Sequence, residues 1–205
     1  MCAMTGRYWS IYSTGNSTRH RMTVWVDFNP HWEHCEKVSS LYSGQWQDGF
    51  PYVPVPQAVV VRVTKLIVTK RGPKIDDMPC CLGITIVSRR LRDLLVQFDS
   101  TVRFSPANVS VPKGMMHDLP EYFWVHVSRV VPCEDVQRSK WTMDAPKPSL
   151  SRFVLDEDRV PPNVHCFRPW GYENKWIVSN EVRIAIEGAG MRGCLFAEPT
   201  NIVTW

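Results

Sequence analysis

Alternating apolar and polar positions, rich in β-branched and aromatic residues, recur along this chain. The pattern is typical of strands and occurs at 22–28 (MTVWVDF), 58–69 (AVVVRVTKLIVT), 122–131 (YFWVHVSRVV) and 152–155 (RFVL). The loops between these segments are dense in turn residues, and many of the sixteen prolines lie there. We therefore expect a protein built mainly of β-sheet, in which helix is scarce.

Two stretches have a helical period instead: IVSRRLRDLL at 86–95 and IVSNEVRIAI at 177–186. Ser88 and Ser179 can cap these helices, since a serine hydroxyl accepts a hydrogen bond from a free N–H of the first turn. An apolar stripe follows each serine with the same offsets, at Leu91, Leu94, Leu95 and Phe98 in the first stretch and at Val182, Ala185, Ile186 and Ala189 in the second. Glycines at 188, 190 and 193 favour an end to the second helix.

Each predicted helix follows a β-branched run and precedes a short apolar segment that ends in proline, TVRFSP in one case and GCLFAEP in the other. The two stretches therefore predict a strand, a capped helix and a strand, used twice. Shared Ile, Val, Ser and Arg positions favour an internal duplication, although two ordinary helix starts remain the alternative. The predicted fold class is α+β, mostly β-sheet with two Ser-capped helices.

The chain length of 205 residues suits one domain. We expect a single domain over 1–205, in which 58–205 forms the core and 1–57 is an N-terminal segment of variable sequence. No apolar run is long enough for a membrane helix, and the N-terminus lacks the pattern of an export signal. Seven cysteines, an odd number without a CxxC pair, fit reduced thiols, so we expect a cytoplasmic protein.

Charge and motifs give little support to catalysis or to nucleic-acid binding. The net charge is +4, and acidic residues interrupt the basic ones, so we expect no nucleic-acid partner. Nucleophile-elbow, zinc-protease, P-loop and dinucleotide motifs are absent from the sequence. The carboxylate pairs Asp76/Asp77 and Glu134/Asp135 are expected to be solvated loop charge. We predict no catalytic residue and no cofactor.

The segment HWEHCE is the strongest metal candidate, with His31, Glu33, His34, Cys35 and Glu36. A structural zinc site needs four ligands in paired motifs, and no second pair appears in the sequence. We therefore predict no metal site. A metal-binding or interaction module remains an alternative function.

Two loops have the composition of a protein-binding surface. The acidic run Asp156, Glu157 and Asp158 can pair with basic residues of a partner. In FRPWGYENKW, Trp170 and Tyr172 flank Gly171 and are expected to be exposed, whereas Trp176 leads into a strand and is expected in the core. The predicted partner-binding residues are Asp156, Glu157, Asp158, Trp170 and Tyr172.

Three segments give the chain a family resemblance: DDMPCCLGITIVSRRLRDLLVQF, YFWVHVSRVVPCEDVQRS and CFRPWGYENKWIVSNEVRIAIEGAGMRGCLFAEP. Together, over roughly 75–205, they resemble a family of bacterial immunity proteins found beside polymorphic toxins and long catalogued as a domain of unknown function. The resemblance implies a non-enzymatic protein that binds a cognate toxin one-to-one in the cytoplasm and inhibits it. Enzymatic immunity, by reversal of the toxin's modification, remains the alternative.

Overall fold

The computed structural model describes residues 6–13, 22–26, 59–66, 68–69, 72–73, 76–81, 85–110, 120–142, 149–170 and 175–199. Within these ranges the chain is α+β, mostly strand, as the sequence predicts. The helices are α1 (Arg89–Phe98) and α2 (Asn180–Gly188), and a 3₁₀ turn spans Glu157–Arg159. The strands are β1 (Tyr8–Ser13), β2 (Met22–Val26), β3 (Val59–Leu66), β4 (Val68–Thr69), β5 (Gly72–Pro73), β6 (Cys80–Cys81), β7 (Ile86–Ser88), β8 (Arg103–Ser110), β9 (Tyr122–His126), β10 (Val130–Val131), β11 (Lys140–Thr142), β12 (Ser149–Arg152), β13 (Cys166–Pro169), β14 (Trp176–Ser179) and β15 (Cys194–Ala197).

Two sheets contain most of these strands. One has six strands in the order β6-β2-β3-β8-β9-β7, and the other has five in the order β10-β13-β14-β1-β15. Short two-stranded pairs, β4-β5 and β11-β12, complete the described strands. A single buried cluster, with members from both helices and both sheets, forms the main core.

The predicted strands at 22–28 and 58–69 are present as β2 and as β3 with β4. The prediction of one strand over 122–131 is wrong, because β9 ends at His126 and β10 pairs in the other sheet. Val127 is buried in the connection between β9 and β10, and Val131 is buried in β10. Apolar alternation therefore continues across the connection, although the strand does not. The prediction at 152–155 is also wrong: β12 ends at Arg152, and Leu155 forms only an isolated bridge with Glu134.

The two helices lie in units of the same architecture. β7 and β8 both pair antiparallel with β9, so β7, α1 and β8 form a parallel crossover with β9 inserted between its strands. β14 and β15 both pair antiparallel with β1, which gives the same arrangement around α2. The register agrees too: Ser88 lies opposite Tyr122, and Ser179 lies opposite Tyr8. This repeated topology supports the duplication hypothesis.

The helices form as the serine-cap signals predict. The Ser88 hydroxyl accepts a hydrogen bond from the N–H of Leu91 at 3.2 Å, and the Ser179 hydroxyl accepts one from the N–H of Val182 at 3.4 Å. Most of the predicted stripe packs in the core, with Leu91, Leu95, Val182 and Ile186 buried and Leu94, Phe98 and Ala185 partly buried. Ala189 is exposed, contrary to the prediction, because α2 ends at Gly188 and Ala189 is its C-cap.

The two helices pack with opposite ends together. At one end, the Arg90 guanidinium near the start of α1 donates to the carbonyl of Ala189, just after α2. At the other end, Phe98 of α1 contacts the ring of His165 edge-on, with centroids 5.7 Å apart, and His165 is hydrogen-bonded to the Ser179 cap of α2. The units are therefore related by an approximate two-fold arrangement.

Asp77 joins the two units. Its carboxylate accepts hydrogen bonds from the Ser88 hydroxyl at 2.7 Å and from the N–H of Arg192 at 2.9 Å. Gly193 follows with a φ of 83°, and a Cβ there would lie 2.5 Å from the Met78 carbonyl oxygen. The expectation that Asp76 and Asp77 are solvated is wrong, because Asp76 is only 3% exposed and Asp77 bonds both units.

The N-terminal segment supplies strands to both sheets. β1 lies between β14 and β15 in the five-stranded sheet, and β2 lies between β6 and β3 in the six-stranded sheet. Trp9 and Ile11 of β1 are buried in the main core. The expected variability of 1–57 remains a prediction, but its two described strands, β1 and β2, belong to the sheets that form the scaffold.

Candidate functional site

An open groove of about 560 Å³ lies beside β10, within the size range of ligand sites. One wall is the segment that contains β10, and the other is the turn that follows the 3₁₀ turn. The lining residues are Arg129, Val130, Val131, Pro132, Arg159, Pro161, Pro162, Asn163 and Val164. These two walls are far apart in the sequence and are brought together by the fold.

Backbone hydrogen bonds fix the first wall to the five-stranded sheet. The N–H of Arg168 donates to the carbonyl of Arg129, and the N–H of Trp170 donates to the carbonyl of Val131, both at 2.9 Å. Val131 is buried in a second apolar cluster that also contains Phe167. The wall is therefore a fixed edge of the sheet.

The second wall is a turn held by prolines and by packing. The N–H of Val164 donates to the carbonyl of Pro161 at 3.4 Å, and Asn163 has a φ of 66°. Asparagine adopts this left-handed conformation more readily than most residues, so Asn163 suits the turn. Val160 and Val164 are buried in the same cluster as Val131, so apolar packing joins the second wall to the first.

The charged lining residues of the groove, Arg129 and Arg159, are both basic. A guanidinium nitrogen of Arg129 lies 3.5 Å from the carboxylate of Asp99, which is buried beneath it. A guanidinium N–H of Arg159 donates to the carbonyl of Glu134 at 2.8 Å. Because a guanidinium carries five N–H donors, each arginine keeps donors beyond these contacts for an anionic group. The groove is therefore lined by two basic side chains, one of them paired with Asp99, and otherwise mainly by proline and valine.

The acidic run lies immediately before the second wall. The Asp156 carboxylate accepts a hydrogen bond from the N–H of Asp158 at 3.2 Å and caps the 3₁₀ turn. Arg7 donates to the Glu157 carboxylate from its backbone N–H at 2.9 Å and from its Nε at 3.0 Å, and it also pairs with Asp158. Hydrogen bonds to Glu157 and Asp158 raise the pKa of Arg7. Of the three side chains, Asp158 is the most available to a partner, at 90% exposed.

Of the two aromatic residues predicted to bind a partner, Trp170 lies within the described residues. Trp170 is 55% exposed and follows β13, and its backbone contact with Val131 puts it beside the first wall. Tyr172 lies outside the described residues. Trp176 is buried in the core, as expected. The structure thus puts Trp170 next to the first wall and the acidic run next to the second, although none of these residues lines the groove.

Sequence reasoning missed the arginines and the proline turn of this groove. Arg129 and Arg159 are separated in the chain, so only the fold shows that they face one cavity. The Pro-Pro-Asn sequence at 161–163 is a turn signal that could have marked the second wall. Val136 is 67% exposed, in the turn just beyond the first wall.

The polar pairs outside the groove have structural roles. Ser179 and His165 lie 2.9 Å apart, but Ser179 is buried and its hydroxyl accepts from the helix backbone.

Burial raises the pKa of the thiols of Cys133, Cys166 and Cys194 to about 12, so these thiols are protonated at neutral pH. HWEHCE lies outside the described residues, and in the described part of the chain no group of three metal-ligand side chains occurs.

Comparison with family models decides the family. Residues 12–200 match the model described as the immunity protein family (Imm11). The chain belongs to the Imm11 immunity protein family. The match starts well before Asp76, where the recognised motifs begin, and includes β2 and the last two residues of β1. A search of curated proteins finds no match.

Membership in the Imm11 family gives the chain a role in toxin immunity. The match covers both crossover units and both walls of the groove. Within the described residues, none of the helices has the length and apolarity to cross a membrane.

Proposed function

We propose that this Imm11 protein neutralises a cognate bacterial toxin by binding it one-to-one, with the groove beside β10 as the centre of the contact. The observation that carries the proposal is a groove lined by two basic residues, with exposed Trp170 next to one wall and exposed Asp158 next to the other. Interfaces are enriched in tryptophan and arginine at the positions that contribute most binding energy.

The scaffold suits an inhibitor that binds as a rigid body. Two crossover units share one core and are tied together by Asp77 and by the contact between Arg90 and Ala189. The groove walls are fixed to this scaffold through β13 and the second apolar cluster. A preorganised surface loses less entropy on binding, which favours tight and stoichiometric inhibition.

We also propose where the protein acts and which protein it binds. The protein would act in the cytoplasm of the toxin-producing cell or its siblings, as part of competition between bacteria that carry polymorphic toxins. The partner would be the toxin domain encoded next to this gene, because the family resemblance implies that the two genes are neighbours. No cofactor enters this mechanism.

The direct test is co-expression and titration. Cells that express the neighbouring toxin domain should survive when this chain is co-expressed, and calorimetry should give one toxin per chain. Trp170→Ala should weaken binding by at least tenfold, since truncation of a central tryptophan commonly costs about 2 kcal/mol or more. Val136→Ala, at another exposed apolar residue outside the groove lining, is the matched control and should bind normally.

An enzymatic mechanism predicts a different titration. If the chain reversed the toxin's modification, substoichiometric amounts would restore the modified target over many turnovers. Protection that stops at one chain per toxin supports binding. Protection by a small fraction of one chain per toxin would contradict the proposal.

A further inference from the structure

β10 is the last strand at one edge of the five-stranded sheet, among the described residues, and the groove runs beside it. Its bonds to β13 use the carbonyls of Arg129 and Val131. In a parallel pair, alternate residues direct their backbone groups to opposite sides of the strand. Because Val130 lies between the two bonded residues and opposite Arg168, its N–H and C=O face away from β13, toward the edge.

The wall across the groove has the opposite backbone chemistry. Pro161 and Pro162 have no backbone N–H, and the turn at Asn163 directs the chain back toward β13. This wall offers apolar contact and the guanidinium of Arg159, with few donors for a strand ladder. A chain entering the groove would therefore find hydrogen-bonding backbone on the β10 side and side-chain contacts on the other.

Charge defines the ligand further. The nine lining residues include two arginines and no carboxylate. The nearby acids Glu157 and Asp158 are paired with Arg7, and the buried carboxylate of Asp99 is paired with Arg129. An extended segment whose side chains include aspartate or glutamate would complement both the open strand edge and the two guanidinium groups.

We infer that β10 binds an extended acidic segment of the toxin as an added strand, with carboxylates of that segment contacting Arg129 and Arg159. This inference rests on the proposed function and names the part of the toxin that the groove recognises. The added strand bonds to the N–H and C=O of Val130. Trp170, which is exposed and bonded through its backbone to Val131, lies next to this edge.

The test uses peptides that tile the sequence of the neighbouring toxin domain, measured by fluorescence anisotropy against the full chain. One acidic segment should bind and should be displaced by the intact toxin domain. Arg159→Glu should weaken this peptide at least tenfold, and replacing the peptide's carboxylates with lysine should restore binding to that variant. Arg138→Glu is the matched control, because Arg138 is 68% exposed and lies outside the groove lining.

Val130→Pro tests the backbone contact, since it removes the N–H at the edge and leaves the carbonyls that bond β13. We expect at least tenfold weaker peptide binding. Val136→Pro, at the first position of a turn after the capping residue Asp135, is the control for proline itself. If Val130→Pro does not fold, amide hydrogen exchange of the unaltered chain gives the same information, because the amide of Val130 should gain protection when the peptide binds.

The outcomes separate this inference from the proposed function. Toxin that binds one-to-one with unchanged affinity for Arg159→Glu, and without protection of Val130, would overturn the inference and leave the function standing. A best-binding peptide that lacks acidic residues would also overturn it. Dimerisation of this chain through the same residues would overturn the inference as well. Light scattering would then give the mass of a dimer, and that mass would fall for Arg159→Glu. Toxin that does not bind at all would refute the proposed function itself.

Discussion

The guanidinium carbon of Arg183 lies 4.0 Å from the centroid of the Trp9 ring. Arg92 holds the same position in the other unit, 4.2 Å from the ring of Phe123. Each arginine lies four residues after its serine cap, and each aromatic residue lies opposite the valine that precedes the cap. The duplication therefore extends beyond backbone topology to a specific side-chain contact that joins helix and inserted strand.

Loss of this contact should destabilise the protein. We expect Arg183→Ala and Arg92→Ala each to lower the free energy of unfolding by about 1 kcal/mol, since both the cation–π contact and the packing of the arginine stem are lost. Urea denaturation followed by tryptophan fluorescence measures the change. Arg138→Ala, at an exposed arginine, is the control and should change stability little. Equal stability of all three variants would contradict the structural role of the pair.

Gly193 lies where the backbone of one unit closely approaches the segment that leads into the other. Gly193→Ala should lower the free energy of unfolding by about 2 kcal/mol or more, because alanine is strained at a φ of 83° and its Cβ would clash with the Met78 carbonyl. Gly188→Ala is the matched control: it lies at the end of α2 with no heavy atom within 4 Å of the added Cβ. That variant should be as stable as the parent or slightly more so. A tolerated Gly193→Ala would contradict the close approach.

The two serine caps should differ in their contribution to stability. Ser88 caps α1 and also donates to the Asp77 carboxylate, whereas Ser179 caps α2 and also bonds the ring of His165. The bond from Ser88 to a carboxylate is expected to contribute more. We expect a loss of about 2 kcal/mol for Ser88→Ala and about 1 kcal/mol for Ser179→Ala, by chemical denaturation. A larger loss at Ser179 would show that the link through Asp77 is weaker than its geometry indicates.

His126 should make stability depend on mild acid. Burial, with a smaller effect of the Arg168 charge, lowers the pKa of His126 to about 4 from its ordinary value of 6.5. The unfolded state therefore binds a proton in the window from pH 6.5 to 4 that the folded state does not, so stability falls as the pH falls through this window. His126→Gln should flatten the pH dependence of Tm there. An unchanged slope would assign the acid sensitivity to other groups.

Local signals explain what the sequence predicts well. The serine caps and apolar stripes of α1 and α2 depend on residues within one helix, and both helices begin where the serines place them. The strand inserted in each helical unit is determined by pairing between segments that are separated in the sequence. β9 follows its unit in the chain, whereas β1 lies near the N-terminus. No local pattern distinguishes these pairings, which is why the N-terminal segment could be taken for an addition to the core.

The groove was predictable only in part. Trp170 and the acidic run 156–158 were recognisable by composition, and the fold places them beside its two walls without making them part of the lining. Arg129 and Arg159 could not be assigned to one site, because their proximity depends on β10 pairing with β13 and on the turn after the 3₁₀ helix. The contact between Arg7 and Glu157 likewise joins residues 150 positions apart in the sequence, so part of the acidic run is already paired within the fold.

Stoichiometric binding of a toxin through the groove can be tested by one titration. The activity of the purified neighbouring toxin domain would be measured against increasing amounts of this chain and, in parallel, of Trp170→Ala. We expect a linear fall to zero activity at one chain per toxin, and a much weaker, curved inhibition by the variant. Full protection well below one chain per toxin, or identical titrations for both proteins, would contradict it.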